Sequence, residues 1–456
     1  MADTLPQTEA SAWEGVPLAS LEERLRQRSA RIAVAGLGAV GLPLAELLHG
    51  GGFPISGIDP SPIKRAALEA GQVPLAHQAH LDCVRLALSP RFEVVAQPGD
   101  CMTPIDVLMI CVPTDLNANQ EPDLSLVRAV VAAAARHLAD EALVVLESTT
   151  WPGTTREILG RDLVAAGRVP GVDVGLVFSP ERVDPGREAL ASIPKLVGGL
   201  DARAGELGVL LYASAFDDVR QVSSPEVAEA AKLLENVYRA VNIGLVNELK
   251  TSFASMGLDV WEVLDAAASK PFGFQRFDPG PGVGGHCIPV DPHYLTWAAR
   301  RAGAPARLVE LAGSINARMP EEVARVTARA LSARGKALDG ARVLLVGIAY
   351  KAGVDAIDHA PALDLASDLA AAGALLEFHD PLVSELPAEH AMLRPELGSR
   401  SVSLDRCRIA SYDAILILTA QSGLDLDLIA EAAQLVIDTR AVLRSRLLGD
   451  PRYVSA

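Results

Sequence analysis

Ile32-Ala-Val-Ala-Gly36-Leu-Gly38-Ala-Val-Gly41-Leu-Pro-Leu-Ala-Glu-Leu-Leu48 decides the fold. The apolar run reads as a strand covered on both faces, the three glycines as a tight turn, and Leu42 to Leu48 as the helix that follows. A second apolar run, Ile55 to Ile58, ends at Asp59-Pro60. Strand, glycine turn, helix, strand and terminal carboxylate are the parts of a unit that holds a dinucleotide. Gly36 makes the turn, Gly38 lets backbone approach the pyrophosphate, and Gly41 lets the helix close on the strand. Asp59 is placed for the ribose hydroxyls, and its charge repels a 2′-phosphate, which selects NAD over NADP.

Outward from this unit the same alternation continues. Val107 to Val112, Leu143 to Leu146 and Val174 to Phe178 read as further buried strands, separated by Ala-rich helical stretches such as Leu126 to Leu138. From Glu226 to Met256 the pattern is helical and stops at Gly257, with Val227, Leu234, Val241, Leu245, Leu249 and Phe253 marking an apolar face. Helices are expected over Val260 to Ala268, Pro292 to Ala302 and Pro320 to Arg334. The α/β pattern then restarts with the strand Val343 to Gly347, the helix Ala362 to Ala372, and the strand Leu375 to Phe378 leading to Asp380-Pro381, an echo of Asp59-Pro60. The second half lacks the three-glycine turn, so its ligand differs from that of the first. The expected fold is α/β: two Rossmann-like, doubly wound parallel-sheet domains joined by a long central helix and a helical connector. The boundaries read as an N-terminal extension over 1–30, containing a short amphipathic helix from Leu18 to Arg28, an NAD-binding domain over 31–223, a central helical, dimerising domain over 224–338, and a C-terminal domain over 339–456.

Composition narrows the function. Of 456 residues, 57 are acidic and 41 basic, a net charge of −16, which opposes nucleic acid and anionic membrane as partners. Five scattered cysteines without CxxC spacing suggest neither a disulfide framework nor a zinc ribbon, and fit a reducing cytoplasm. No basic-then-apolar leader and no long apolar span is present.

Candidate site residues sit at strand ends and in one loop. Cys111-Val112-Pro113-Thr114 and Glu147-Ser148-Thr149 each follow a strand at the edge where open parallel sheets bind ligands. Cys111 itself reads as packing. The segment from Lys270 to Pro292 is dense in glycine and proline, so it is a shaped loop, and Cys287 within it is not core packing. Asp291 stands one helical turn from Cys287, and Lys232 and Asn236 stand one turn apart on the long helix, where an asparagine is a poor helix former and marks a polar site. His286, Cys287 and His293 match no closed zinc signature, so no metal is expected.

Taken together, GLGAVGLPLA, CVPTDL, ESTTWPGTT, FSPERVDPG, AAKLLENVYRAVNIGLVNEL, PGPGVGGHCIPVDP and GIAYK resemble, in order, the UDP-glucose/GDP-mannose 6-dehydrogenase superfamily from about Arg31 to Arg440. SPERVDPG and KPFGFQRFDPGPGVGGHCIPVDPHYLTW are most similar to the branch oxidising UDP-N-acetylhexosamines, especially UDP-N-acetylglucosamine. The resemblance implies two successive hydride transfers from C6 of a nucleotide sugar to NAD, giving a uronic acid for surface-polysaccharide synthesis. It also implies roles: Cys287 as nucleophile; Lys232 and Asn236 at the developing oxyanion; Thr149 and Asp291 ordering water or taking the alcohol proton; Glu181 activating water. Gly36, Gly38, Gly41, Asp59, Val112, Pro113, Thr114 and Glu147 are expected at the cofactor, and Arg182, Phe277, Gly280, Gly282, Gly284 and Lys351 at the substrate.

Three positions depart from the superfamily's pattern. Pro185 stands where a second glutamate is frequent, and Glu147 where lysine is frequent. Asp358-His-Ala-Pro361 stands where Arg-Glu-Ser-Pro is usual. A carboxylate facing a diphosphate at 4 Å is unfavourable by roughly 4 kcal/mol at an effective dielectric of about 20, so either the loop points away, a cation such as Arg276 substitutes, or the substrate differs. UDP-glucose, UDP-N-acetylmannosamine and UDP-N-acetylgalactosamine are the alternative substrates. A single-step hydroxyacid dehydrogenase and a non-catalytic nucleotide-sugar-binding regulator are the alternative functions.

Overall fold

The structure is a computed structural model that describes residues 18–74, 81–102, 104–182, 190–393 and 395–456. Pro185 and the first part of the N-terminal extension lie outside the described residues. The described residues form two compact units. One extends to Glu235 and takes in His293–Gly303; the other comprises Asn236–Pro292 and Ala304–Ala456.

The first unit is built on strands β1 (Ile32–Ala35), β2 (Ile55–Ile58), β3 (Phe92–Val95), β4 (Ile105–Ile110), β5 (Leu138–Leu146), β6 (Val174–Phe178), β7 (Lys195–Gly199) and β8 (Val219–Val222). Their order is β3-β2-β1-β4-β5-β6-β7-β8. From β3 to β6 every pairing is parallel, and the order reverses between β1 and β4, the switch point at which such sheets bind dinucleotides. β1 and β4 are buried along their whole lengths, Asp106 of β4 included. Helices pack on both faces and create two separate cores. The helix Ala19–Arg26 belongs to one of them: Leu21 and Leu25 are fully buried, and Arg24 and Arg31 both pair with the buried Asp106 at 3.0 Å.

β7 and β8 lay outside the sequence expectation. β7 runs antiparallel to β6, with Phe178 opposite Gly198, so its amino end, at Lys195, reaches the edge where β5 and β6 finish. That reversal places a charged residue that periodicity alone cannot position.

The second unit carries a five-stranded sheet of β9 (Arg342–Val346), β10 (Leu375–His379), β11 (Ala414–Ile417), β12 (Val436–Asp438) and β13 (Tyr453–Ser455), ordered β10-β9-β11-β12-β13 and parallel throughout. The echo between Asp59 and Asp380 is structural, with a difference. The Asp380 carboxylate accepts backbone N–H groups from Ile348, Ala349, Leu382 and Val383 and is fully used in closing its turn. Asp59 accepts from Leu37 N and Ser61 N and pairs with Lys64 at 3.3 Å.

The long helix spans Pro225–Ser255. The expected apolar face needs correction: Val227, Leu234 and Leu245 are exposed, and the buried stripe is Ala228, Leu233, Val237, Ala240 and Val246. This helix also buries Glu229, Lys232, Asn247 and Lys250, so counting apolar residues did not identify the face turned toward its own chain. The cysteine helix spans Cys287–Arg301 and contains Pro292. It was expected to begin at Pro292, because proline favours a helix's first turn. Its actual start is five residues earlier, and the proline's missing N–H leaves only the Ile288 carbonyl without a helical donor. The helix Arg307–Ala317 was not anticipated.

Candidate active site

The glycine turn of the first unit is shaped for close contact. Gly36 has φ +94°, and a Cβ there would lie 2.7 Å from the Cys111 carbonyl oxygen; a Cβ on Gly41 would lie 1.9 Å from the Gly36 oxygen. By contrast, nothing lies within 4 Å of a Cβ built on Gly38, the position expected to face the pyrophosphate. Open space at Gly38, the locked turn around it, and Asp59 at the end of β2 fit NAD. Beside them, Thr114 donates to the Thr149 carbonyl at 2.8 Å and Ser148 to the Val112 carbonyl at 2.6 Å, tying the loops after β4 and β5 together, with Pro113 exposed between them. Burial pushes the Cys111 thiol well up, so it stays protonated and packs, as expected.

Glu147, expected at the cofactor, turns its side chain into the first unit. Its carboxylate is buried, accepts from the Tyr212 hydroxyl, and pairs with Lys195 at 2.7 Å. Lys195 also donates to the Pro180 carbonyl at 3.1 Å and stands 3.8 Å from Glu181. Burial pulls the Lys195 ammonium down, but Glu147 and Glu181 more than offset this and hold it above its ordinary value. Burial, with Glu181 close by, pushes Glu147 up. The expected water-activating residue, Glu181, thus sits against a buried ammonium and accepts from Arg182 N at 2.6 Å. Arg182 is held by Glu235 at 2.6 Å and by the Pro194 carbonyl.

The loop after β5 is anchored by Glu229, which accepts from Gly153 N, Thr155 N and the Thr155 hydroxyl at 2.6, 2.8 and 2.6 Å. Burial outweighs these three donors and raises the carboxyl from 4.5 to about 7. The folded state therefore holds more proton than the unfolded chain between those values. Stability from this group is full below about pH 4.5 and is lost as pH rises toward 7, by about 3 kcal/mol. Urea unfolding of the wild type is expected to show that slope, and Glu229→Gln to flatten it; equal slopes in both would rule the assignment out.

In the second unit, Cys287 is the exposed first residue of its helix, at the positive end of the helix dipole, which favours an anion. Asp291, one turn on, is buried and accepts from Asn236 Nδ2 at 2.5 Å. The loop before Cys287 is packed against the second sheet's own turns. Gly285 N donates to the Asp358 carbonyl at 2.9 Å, and a Cβ on Gly284 would lie 2.7 Å from the His359 oxygen. A Cβ on Gly282 would meet Pro361, and one on Gly280 the Arg440 guanidinium. Phe277 stacks edge-on to Tyr238 at 5.8 Å and joins a small core with Val246, Val260, Trp261 and Leu264. Lys351 is half-buried in the turn after β9.

Two residues outside the expected set hold this loop. Asn247, fully buried, accepts from Gly280 N and donates to Asn316, each at 2.9 Å; Asn316 donates to the Ala240 carbonyl. The signal was present: a mid-helix asparagine, the same oddity that singled out Asn236. Arg276, the proposed substitute for the missing arginine, is already engaged by Asp265 at 2.5 Å and Asp278 at 2.7 Å.

A turn for NAD, a second nucleotide-type sheet, and a glycine-rich cysteine loop packed on that sheet define an NAD-dependent oxidoreductase of the nucleotide-sugar class. The chain belongs to the UDP-glucose/GDP-mannose dehydrogenase family: residues 30–216 match its NAD binding domain, 226–318 its central domain and 344–445 its UDP binding domain. UDP-N-acetyl-D-glucosamine 6-dehydrogenase of Pseudomonas aeruginosa is 32% identical over 86% of this chain and 90% of its own. Among solved structures, the UDP-N-acetyl-D-mannosamine dehydrogenase of Pyrococcus horikoshii superposes with a TM-score of 0.79 at 30% identity, over 90% of this chain and 95% of that one. A UDP-glucose dehydrogenase of Pyrobaculum islandicum gives 0.80 at 25% identity, over 92% and 96%.

Proposed function

We propose that the chain oxidises the C6 alcohol of UDP-N-acetylglucosamine to the carboxylate, with Cys287 as covalent nucleophile. The observation that carries this is the exposed Cys287 at a helix start, one turn from an Asp291 held by Asn236. An aldehyde keeps a C–H at C6 but has no alkoxide on that carbon to drive its hydride out. Addition of the Cys287 thiolate to C6 makes a thiohemiacetal, whose C–H is then oxidised to a thioester, and water cleaves the thioester to the acid and the free thiol. NAD supplies the hydride acceptor for both oxidations when bound. Lys232 and Asn236 stabilise the oxyanion at C6; Asp291 and Thr149 order water and take the alcohol proton; Glu181, set against Lys195, activates the water that attacks the thioester. Phe277, Gly280, Gly282, Gly284, Lys351 and Arg182 hold the nucleotide sugar, and Gly36, Gly38, Gly41, Asp59, Val112, Pro113 and Thr114 hold NAD. The exposed Leu234, Tyr238 and Leu245 on the long helix suit pairing with a second copy of the chain. Free thiols and a product used as a polysaccharide precursor suit the cytoplasm.

The N-acetylglucosamine assignment follows the Pseudomonas relative. An NADH-production screen over UDP-glucose and the UDP-N-acetyl derivatives of glucosamine, mannosamine and galactosamine tests it. UDP-N-acetylglucosamine is expected to give the highest kcat/KM, with two NADH per sugar. A higher value for another sugar reassigns the substrate, and one NADH per sugar removes the thioester route.

A further inference from the structure

A lysine that periodicity does not single out is packed against Glu181. Lys195 opens β7 and is only 2% exposed. Its ammonium meets Glu147 at 2.7 Å, the Pro180 carbonyl at 3.1 Å and Glu181 at 3.8 Å. The residues on either side of Lys195 hold the same segment: the Ser179 hydroxyl donates to the Leu196 carbonyl and the Arg182 guanidinium to the Pro194 carbonyl, both at 2.8 Å. Pro194, Lys195 and Leu196 are thus three consecutive anchors for Ser179 to Arg182. Strand direction is the cause. β7 runs antiparallel to β6 with Phe178 opposite Gly198, and the same register carried past the end of β6 sets Glu181 beside Lys195.

A buried ammonium needs counter-charge, and here two carboxylates share one. Glu147, at the end of β5, is the deeper of the two and also accepts from the Tyr212 hydroxyl. Glu181 accepts in addition only a backbone group that an item of the geometry above already names, Arg182 N at 2.6 Å, while the Arg182 guanidinium itself turns to Glu235. Two further ionisable groups face this cluster. Burial pushes both the Cys111 thiol, at the end of β4, and the Tyr212 phenol, at the end of the helix Ala202–Tyr212, well up, so both keep their protons. Of the charged groups on the neighbouring strands, Lys195 favours the ionised form of Glu181 and Glu147 opposes it.

We propose that Lys195 is a positioning residue for cleavage of the thioester: its ammonium fixes the Pro180–Glu181 segment and keeps Glu181 ionised as the base, with Glu147 as the counter-charge that lets a lysine be buried there. The inference rests on the reading of Glu181 as the group that activates water. In that step the water oxygen bonds to C6, its proton passes to the Glu181 carboxylate, the C6–Sγ bond breaks, and Cys287 leaves as the thiolate. No electrons go to NAD. A Glu181 that already carries a proton cannot accept another, so the cation beside it sets the pH below which hydrolysis slows.

The test follows the Cys287 adduct in single turnovers of the full chain across pH, with NAD in excess and the best substrate of the NADH screen limiting. Acid-quenched intact mass reads the decay of the adduct, which is hydrolysis, and absorbance reads NADH, which is the two oxidations. Lys195→Met is expected to move the acid limb of adduct decay up by about 1–2 pH units, and Glu147→Gln to move it down by less, with the double variant between them. Below the wild-type limb, Lys195→Met slows decay roughly 3- to 10-fold more than it slows NADH formation. Where the single lysine variant fails to fold, the double variant against Glu147→Gln asks the same question, and adding Lys195→Met must still raise the limb. A limb that does not rise on adding Lys195→Met overturns the inference. So does a shift in the same direction for both single variants, or an equal slowing of NADH formation and decay, which is what general structural damage produces. Glu181→Gln tests the underlying reading separately: wild-type decay of the adduct in that variant removes Glu181 as the base. A wild type that makes no NADH from any sugar nucleotide contradicts the nucleotide-sugar reading itself.

Discussion

Cys287→Ser is expected to abolish uronic acid formation, lowering its rate by at least roughly a thousandfold, the scale on which removal of a covalent nucleophile is felt. The alcohol oxygen of serine is a far weaker nucleophile at neutral pH, and a hemiacetal on oxygen leads to an ester that water cleaves slowly. Everything that recognises the cofactor and the nucleotide remains in place, because Cys287 is exposed and its sulfur fills no core. The first oxidation is therefore expected to survive in part. Assays with purified protein read this as NADH per sugar falling toward one, with aldehyde-level product trapped by hydroxylamine. Full acid production by the serine variant would sink the covalent mechanism. A wild type that binds the sugar nucleotide and never reduces NAD would return the chain to the regulator reading.

The second large effect falls on stability. Lys195→Met removes the cation that pairs with Glu147 and stands against Glu181, and leaves the Glu147 carboxylate buried beside a second one. Breaking a buried pair from one side costs about 3–5 kcal/mol, because the remaining charge has neither water nor counter-charge. Burial already raises Glu147, so the variant is expected to regain stability as pH falls and that carboxyl takes a proton. Lys195→Met combined with Glu147→Gln should recover most of the loss. Chemical unfolding across pH measures all three proteins. A loss below about 1 kcal/mol for the single variant, with no dependence on pH, would show that the pair does not carry this part of the fold.

The same cluster illustrates how far strand-end reading reaches. Glu147 was expected at the cofactor because it directly follows β5, on the edge where ligands bind. Its backbone is there, but its carboxylate turns inward to Lys195. The lysine sits at the start of a strand whose direction is opposite to that of its neighbour, and one-dimensional periodicity is identical for a strand run either way. Asn247 and Lys250 were missed differently. Both are polar residues within an amphipathic helix, and whether such a residue faces water or a packed loop depends on what lies across from it.

By itself the sequence determined the two-sheet α/β plan, the glycine turn with Asp59, the exposed thiol at Cys287 and its spacing from Asp291, because each depends on local periodicity, on backbone that only glycine adopts, or on one turn of helix. Tertiary structure alone decided which face of the long helix is buried, where Lys195 reaches, and that Asn247 and Arg440 meet the glycine-rich loop at Gly280. Those depend on strand direction and on contacts between residues far apart in the chain, and local side-chain preference carries no record of them.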